Sequence, residues 1–131
     1  MGVVSVLFDT DVLIWVQRGN PNAARVLRDS TELAISIFTY MELQQSARNK
    51  EALKIVGSFI KTMNFLVLPL TPEIGHRASN YVEKYTLAHA VRAGDAIIAA
   101  TAFENDMTLC TGNVKHFTPI AELRIEEFRA G

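Results

Sequence analysis

Two aspartates stand at the join of two apolar segments near the start of the chain. The stretch VSVLFDTDVLIW places Asp9 and Asp11 after the apolar run Val4–Phe8 and around the start of a second apolar run, Val12–Trp15. Taking a carboxylate out of water is costly unless its charge is paired, hydrogen-bonded or bound to a cation. These two carboxylates are therefore the first candidates for a chemical site.

Three further polar side chains lie at the ends of strand-like or helix-like segments. Glu42, in ISIFTYMEL, is predicted to lie in the first turn of the helix that follows the second strand. Asp95 opens the helix-like stretch GDAIIAATA, and Asn113 lies just past the last strand-like segment in TLCTGNVKHF. Ligands of open parallel sheets bind beyond the carboxyl ends of the strands. The sequence therefore predicts that Asp9, Glu42, Asp95 and Asn113 meet at one rim.

Carboxylates gathered at one rim repel one another unless something compensates their charge. Two carboxylates ~4 Å apart repel by about 4 kcal/mol at an effective dielectric constant of 20. Shared protons or a bound cation relieve this repulsion, and an all-oxygen ligand set favours Mg²⁺ or Mn²⁺. Such a cation binds a phosphodiester, activates water and stabilises the leaving oxygen. The three histidines have no paired spacing, so the sequence does not predict a zinc site.

Helix capping is an alternative interpretation of each acid taken alone. Glu42 is the fourth residue of a stretch beginning at Thr39, which matches a capping box. Asp95 has the position of an N-cap, and Asp11 is the better candidate than Asp9 to cap the first helix. Capping requires one acid per helix and does not require several acids at one place. The predicted convergence therefore favours the metal site.

Short strand-like segments alternate with helix-like segments along the chain. The predicted strands are Val3–Phe8, Leu33–Phe38, Phe65–Leu68 and Met107–Cys110, with a further edge strand at Arg124–Phe128. The predicted helices are Val12–Gln17, Asn22–Asp29, Thr39–Arg48, Glu51–Thr62, Thr71 to about Tyr85, and Asp95–Asn105. Thr86–Gly94 is predicted to be a loop or helix break, and the tail from Phe117 a loop. This alternation predicts an α/β fold with a mostly parallel sheet between helices.

Length and composition predict one domain over residues 1–131 in the cytoplasm. The chain is 49% hydrophobic, which excludes a disordered protein, and it contains no apolar run of the ~18–20 residues that span a bilayer. Its one cysteine, Cys110, excludes an internal disulfide and fits a reducing compartment. The net charge of −1 means that a nucleic-acid substrate would be held by a local basic patch or by a bound cation.

Four motifs of this chain, in order and spacing, resemble those of PIN domains. The motifs are LFDTDVLIW, ISIFTYMEL, GDAIIAATA and TLCTGNVKHF, and the resemblance extends over nearly the whole chain. More narrowly, the chain resembles the VapC-type toxins of bacterial or archaeal toxin–antitoxin pairs. The resemblance implies a PIN-like (Rossmann-like) three-layer fold and an endoribonuclease that depends on Mg²⁺ or Mn²⁺. It also implies a homodimer and a small antitoxin whose tail lies across the acidic groove.

The same resemblance implies a role for each matching residue. Asp9, Glu42 and Asp95 match the first, second and third acids of the family, so they are expected to be catalytic and to bind the metal. Asn113 occupies the place of the fourth acid and offers one neutral oxygen to the metal. The residues expected to support this site are Asp11, Thr39 and Thr111.

Three basic or titratable side chains close to the predicted rim are weaker candidates. Arg92 and Lys115 are candidates to hold substrate phosphates, and His116 is a candidate to contact substrate. Ordinary solvated charge is nevertheless the favoured interpretation of Arg92 and Lys115, and a surface or capping histidine is that of His116.

Two other functions compete with the nuclease. FDTDV fits the opening motif of haloacid-dehalogenase-like phosphatases, with Asp9 as nucleophile and Asp11 as acid/base. That hypothesis lacks a second acid soon after Asp95 and leaves Glu42 without a role. A degenerate PIN scaffold that binds RNA or a protein without cutting is favoured by Asn113 and by the absence of a basic surplus.

Overall fold

The computed structural model describes residues 5–131, so the first two residues of the predicted strand Val3–Phe8 lie outside the described range. Within that range, five parallel strands form one sheet in the order β3-β2-β1-β4-β5. The strands are β1 (Val6–Phe8), β2 (Leu33–Ser36), β3 (Leu66–Leu68), β4 (Thr108–Thr111) and β5 (Ile125–Glu127). The helices of the same range are α1 (Thr10–Gln17), α2 (Pro21–Asp29), α3 (Ile37–Gln45), α4 (Lys50–Thr62), α5 (Pro72–His89), α6 (Ala93–Glu104) and α7 (Val114–Phe117).

Strand β1 is the central strand, and its side chains alternate between two hydrophobic cores. Leu7 faces the core built with α5 and α6, whereas Phe8 faces the core built with α1 to α4. The neighbouring strands repeat this alternation, with Leu109 on the first side and Cys110 on the second. Helices therefore cover both faces of a parallel sheet, which confirms the predicted three-layer α/β fold.

Cys110 is buried in β4, as the strand-like pattern predicted. Burial, together with the nearby carboxylates, raises the pKa of its thiol to about 12. The thiol is therefore protonated at neutral pH, and its role is packing.

The predicted start of α5 is confirmed, but its end is not where the sequence indicated. Thr71 Oγ1 accepts a hydrogen bond from the Ile74 N–H at 3.2 Å, and Pro72 is the first helical residue. The helix continues to His89 and ends where Ala90 adopts a left-handed conformation with φ of 53°. The predicted loop or helix break at Thr86–Gly94 is confirmed at residues 90–92, but the first four residues of the stretch belong to α5 and its last two to α6.

Helix α3 begins earlier than predicted, because Ser36 caps it. Ser36 Oγ accepts a hydrogen bond from the Phe38 N–H at 3.0 Å, so β2 ends at Ser36 and the helix starts at Ile37. Thr39 is then the third helical residue and Glu42 the sixth. The capping box at Thr39 and the placement of Glu42 in the first turn are both wrong.

Other boundaries also differ from the sequence prediction. Helix α1 begins at Thr10 rather than at Val12, and α6 begins at Ala93, so Asp95 is its third residue. The short helix α7 was not predicted. The predicted edge strand is confirmed, because β5 pairs with β4 at the edge of the sheet. Within residues 5–131, no helix is both long enough and apolar enough to cross a membrane.

Candidate active site

A cleft of about 670 Å³ opens at the carboxyl end of the central strand. The strand order changes direction at this strand: β2 and β3 lie on one side of β1, whereas β4 and β5 lie on the other. Such a switch point is the usual ligand site of a parallel α/β sheet. We call this site the acid cleft, after the acidic and amide residues among its lining: Asp9, Asp11, Glu42, Asp95 and Asn113.

Asp9 lies at the back of the acid cleft and is 5% exposed. One carboxylate oxygen accepts a hydrogen bond from the Thr10 N–H at 2.8 Å, and the other accepts one from the Thr111 hydroxyl at 2.7 Å. Burial raises the pKa of Asp9 from 3.8 to about 7, with a further contribution from the negative charge of Asp11 and a smaller one from that of Asp95. The two hydrogen bonds oppose this rise. A bound proton or a nearby cation would therefore stabilise Asp9 in the cleft.

Asp11 joins α1 to the loop that follows β4. Its Oδ2 accepts a hydrogen bond from the Gly112 N–H at 2.9 Å, and a Cβ atom at Gly112 would lie 2.7 Å from that oxygen. The close approach explains why glycine follows the strand. Asp9, not Asp11, occupies the N-cap position of α1, so the interpretation of Asp11 as the cap is wrong. Burial raises the pKa of Asp11, and no described residue pairs with its buried Oδ1.

Glu42 reaches the acid cleft from the second turn of α3. Its Oε1 accepts a hydrogen bond from the Thr10 hydroxyl at 2.5 Å, and Thr10 Oγ1 lies 3.0 Å from Thr39 Oγ1. The hydroxyl of Thr39 is therefore linked to Glu42 through that of Thr10. Thr10 was not predicted from the sequence, although its place between the two aspartates of DTD was a signal that it would lie at the site.

Asp95 lies in the first turn of α6, where the helix dipole favours a negative charge. The interpretation of Asp95 as an N-cap is wrong, because Arg92 holds that position. The buried Oδ2 of Asp95 has no hydrogen-bond partner within residues 5–131, and His116 Nδ1 lies 3.6 Å away from it. This oxygen is thus available to a ligand in the cleft.

The ring of Phe38 packs against Gly94, the residue before Asp95. A Cβ atom at Gly94 would lie 2.6 Å from the Cζ atom of the ring. The missing side chain therefore lets α3 and α6 approach, and this approach brings Glu42 and Asp95 to the same cleft.

The remaining predicted residues divide between the cleft and the surface. Asn113 lines the cleft, and its N–H donates to Thr111 Oγ1 at 2.9 Å, so Thr111 links Asn113 to Asp9. Arg92 and His116 also line the cleft. Lys115 is exposed on α7 and is not part of the lining.

The acid cleft fits a divalent cation that keeps part of its water shell. Among residues 5–131, no three histidine, cysteine, aspartate or glutamate side chains already stand together as a ligand set for one ion. Mg²⁺, however, is usually bound through one or two carboxylates and several waters. The buried oxygens of Asp11 and Asp95 that lack a partner among the described residues fit such an ion.

Comparisons with known proteins identify the family. The PIN domain model matches residues 6–122. Ribonuclease VapC10 of Mycobacterium tuberculosis is 35% identical over 126 residues, covering 91% of this chain and 90% of the relative. Ribonuclease VapC19 of the same species is 29% identical over 123 residues, covering 90% of this chain and 96% of that protein. The chain belongs to the PIN domain family, in its VapC-type group.

Solved structures agree with this assignment. A toxin–antitoxin complex from Klebsiella pneumoniae matches with a TM-score of 0.77 and 28% identity, covering 91% of this chain and 95% of that one. VapBC-1 from nontypeable Haemophilus influenzae matches with a TM-score of 0.77 and 23% identity, covering 95% of this chain and 98% of that one. At that lower identity, the second match supports the fold alone.

Proposed function

We propose that this protein is the toxin of a toxin–antitoxin pair, an endoribonuclease that hydrolyses RNA phosphodiester bonds with Mg²⁺ or Mn²⁺ in the acid cleft. One observation carries the proposal. Asp9, Glu42, Asp95 and Asn113 come from four separate segments and line one cleft, in a chain whose relatives are VapC ribonucleases.

The same four residues are the proposed metal ligands, with Asp9, Glu42 and Asp95 as the catalytic acids. When bound, the cation supplies charge neutralisation, activation of water and stabilisation of the leaving oxygen. Asn113 contributes an oxygen without a charge. Because Mg²⁺ keeps several waters, the ligands need not all bind it directly.

The surrounding side chains orient the acids and the substrate. The Thr111 hydroxyl fixes one oxygen of Asp9 at 2.7 Å, and the Thr10 N–H fixes the other. Arg92 and His116 line the cleft, where they would bind phosphate oxygens of the RNA. Lys115, exposed on α7, would contact the RNA farther from the scissile bond.

An antitoxin partner is supported by the structural relatives and by an apolar groove. A toxin–antitoxin complex is among the matched structures. The groove lies between α1 and α4 and includes Val16, Ile55 and Phe59. Ile55 is 62% exposed, and an apolar helix face in a groove is a common mode of recognition. We therefore propose that a helix of the cognate antitoxin occupies this groove and that the antitoxin tail lies across the acid cleft. We also propose that the toxin acts in the cytoplasm as a homodimer.

Purified protein freed of any partner tests the nuclease directly. We expect cleavage of RNA with Mg²⁺ or Mn²⁺ and none with Ca²⁺ or excess EDTA, because the cation must activate water as well as bind phosphate. Gel analysis of end-labelled RNA provides the measurement. Undiminished cleavage in EDTA would overturn the proposed mechanism.

Asp9→Asn and Asp29→Asn form a matched pair. Each exchanges one carboxylate for an amide, but Asp29 is exposed at the end of α2, away from the acid cleft. We expect Asp9→Asn to abolish RNA cleavage and growth arrest in a bacterial host, and Asp29→Asn to preserve both. Growth arrest by soluble Asp9→Asn protein that binds RNA without cutting it would favour the degenerate scaffold.

The antitoxin proposal is tested with the protein encoded by a short gene beside the gene of this toxin. We expect the toxin variant Ile55→Asp to lose binding of that protein and the variant Leu87→Asp to keep it. Leu87 is also an exposed apolar residue, but it lies on α5. Calorimetry measures binding, and light scattering measures whether the free toxin is a dimer. Equal binding by both variants would contradict the groove, and a monomeric mass would contradict the homodimer.

A further inference from the structure

We infer that Thr10 is a positioning residue of the acid cleft, whose hydroxyl holds Glu42 in the orientation required to share a cation with Asp9 and Asp95. The inference rests on the proposed function and adds to it a residue outside the acids. Thr10 is the first residue of α1 and is 8% exposed. Its backbone N–H binds Asp9, and its hydroxyl binds Glu42.

The chemistry of the groups determines the direction of these hydrogen bonds. A threonine hydroxyl has one proton, and an ionised carboxylate only accepts. Thr10 Oγ1 lies 2.5 Å from Glu42 Oε1 and 3.0 Å from Thr39 Oγ1. Thr10 must therefore donate its proton to Glu42, and Thr39 must donate its own proton to Thr10. The result is a directed chain from Thr39 through Thr10 to Glu42.

The short distance and the burial make this chain effective. Hydroxyl-to-carboxylate bonds of about 2.5–2.7 Å are charge-assisted and stronger than neutral ones. Thr39 is fully buried and Thr10 is 8% exposed, so little water competes for either hydroxyl. Each donor also polarises the next in a chain of this kind. The Thr10 hydroxyl thus acts as a stronger donor than an isolated threonine.

The location of the bond explains why Glu42 needs such support. Glutamate has three rotatable side-chain bonds, and fixing them costs entropy that a single strong hydrogen bond offsets. Thr39 and Glu42 are three residues apart and share one face of α3. Thr10 reaches that face from α1 and occupies Oε1, which leaves the lone pairs of Oε2 for a ligand. The bond therefore joins two helices through the Glu42 carboxylate.

Substitution of the hydroxyl separates positioning from packing. Thr10→Val keeps the shape and removes the donor, whereas Thr10→Ser keeps the donor. Partners that orient metal ligands typically contribute about 10–100-fold to metal affinity. We expect Thr10→Val to raise the Kd for Mn²⁺ about 10-fold and Thr10→Ser to leave it within about twofold. The control Thr101→Val removes a buried hydroxyl that bonds within α6, and it should not change the Kd.

A double-mutant cycle identifies the group through which Thr10 acts. In a Glu42→Gln background, Thr10→Val should weaken Mn²⁺ binding no further, because the carboxylate that it orients is already gone. Calorimetric Mn²⁺ titration gives each Kd, and circular dichroism verifies that each variant is folded. Equal losses in the valine and serine variants, or additive losses with Glu42→Gln, would overturn the inference.

Crystal structures of the metal-free wild type and Thr10→Val keep the two proposals distinguishable. Wild-type protein that binds no Mn²⁺ would contradict the proposed function without deciding the role of Thr10. The orientation of Glu42 decides that role in either case. We expect the Glu42 carboxylate to have a different orientation in the Thr10→Val protein than in the wild type. The same orientation in both structures would overturn the positioning role of Thr10.

Discussion

The acid cleft and the cluster around Arg77 both gather carboxylates, but they compensate the charge in different ways. In the arginine cluster, defined by Arg77, Tyr81, Phe103, Glu104 and Glu122, the guanidinium bonds both glutamates, with Nη1 2.9 Å from Glu122. It also lies 4.0 Å above the Phe103 ring. The cluster therefore contains its own cation.

The acid cleft leaves negative charge for something else to neutralise. Asp9 is bonded by neutral donors, the Thr10 N–H and the Thr111 hydroxyl, and its pKa is raised to about 7, chiefly by burial. Asp95 has an exposed histidine 3.6 Å away, which is charged only when protonated. A structural cluster is complete in the folded chain, whereas this cleft is suited to an added cation.

Asp95→Asn should give the largest effect on activity. A metal site supplies several kcal/mol of charge stabilisation, so losing a ligand is expected to slow RNA cleavage by about three orders of magnitude. Glu104→Gln removes a carboxylate from the arginine cluster and should keep the cleavage rate of the wild type. Single-turnover cleavage rates measure both variants. A comparable loss in the two variants would mean that the acids of the cleft have no special role.

The stability of the metal-free protein should fall as the pH rises from about 4 to 7. The pKa of Asp9 is about 7 in the folded protein, against the ordinary value of 3.8 that applies to the unfolded chain. Between these two values, the folded protein keeps a proton that the unfolded chain has released. Protonation of Asp9 therefore adds roughly 2–4 kcal/mol to the free energy of unfolding. This contribution is fully present below about pH 4 and is lost by about pH 7.

Urea unfolding in EDTA at pH 5 and pH 8 measures this dependence. Asp9→Asn should flatten it, because the amide does not titrate, while Asp29→Asn should keep the slope of the wild type. An Asp9→Asn protein with an unchanged slope would assign the pH dependence to other groups.

Glu42→Gln should stabilise the metal-free protein and weaken its response to metal. The change removes repulsion of roughly 1–2 kcal/mol from the other acids, while glutamine still accepts the Thr10 hydrogen bond. In EDTA, the melting temperature of Glu42→Gln should be higher than that of the wild type. Added Mn²⁺ should raise it less than in the wild type, because metal binding stabilises the folded state by mass action. RNA cleavage should be lost.

The matched change Glu83→Gln, at an exposed position of α5, should alter none of these quantities. Unaltered melting of Glu42→Gln in both conditions, with full cleavage, would exclude Glu42 from the site.

Arg77→Ala should give the smallest effect, and on stability alone. The pairs are partly exposed, so the loss is expected to be about 1 kcal/mol, including the contact with the Phe103 ring. Arg129→Ala breaks a more exposed pair with Glu127 and should be close to neutral. Urea unfolding measures both changes. Loss of RNA cleavage in folded Arg77→Ala protein would contradict the separation of the two regions.

Local patterns of the sequence were sufficient to predict the layers of the fold. Apolar runs identified the strands, and Thr71-Pro72 identified the start of α5, because capping acts within a few residues. The ends of helices were predicted less well. The loop-like stretch after Tyr85 stays helical to His89, and α3 starts at Ile37 because Ser36 caps it. Several residues in each stretch can end or begin a helix, and packing selects among them.

The sequence by itself determined that acids follow the strands, because strand and helix periodicity are properties of neighbouring residues. Only the tertiary structure decided which groups bond to them. Glu42 meets the Thr10 hydroxyl 32 residues away, and Asp9 meets the Thr111 hydroxyl 102 residues away. Parallel pairing of β1 with β4 and the packing of α1 against α3 set these contacts. No local pattern records either of them, since both depend on how distant segments pack.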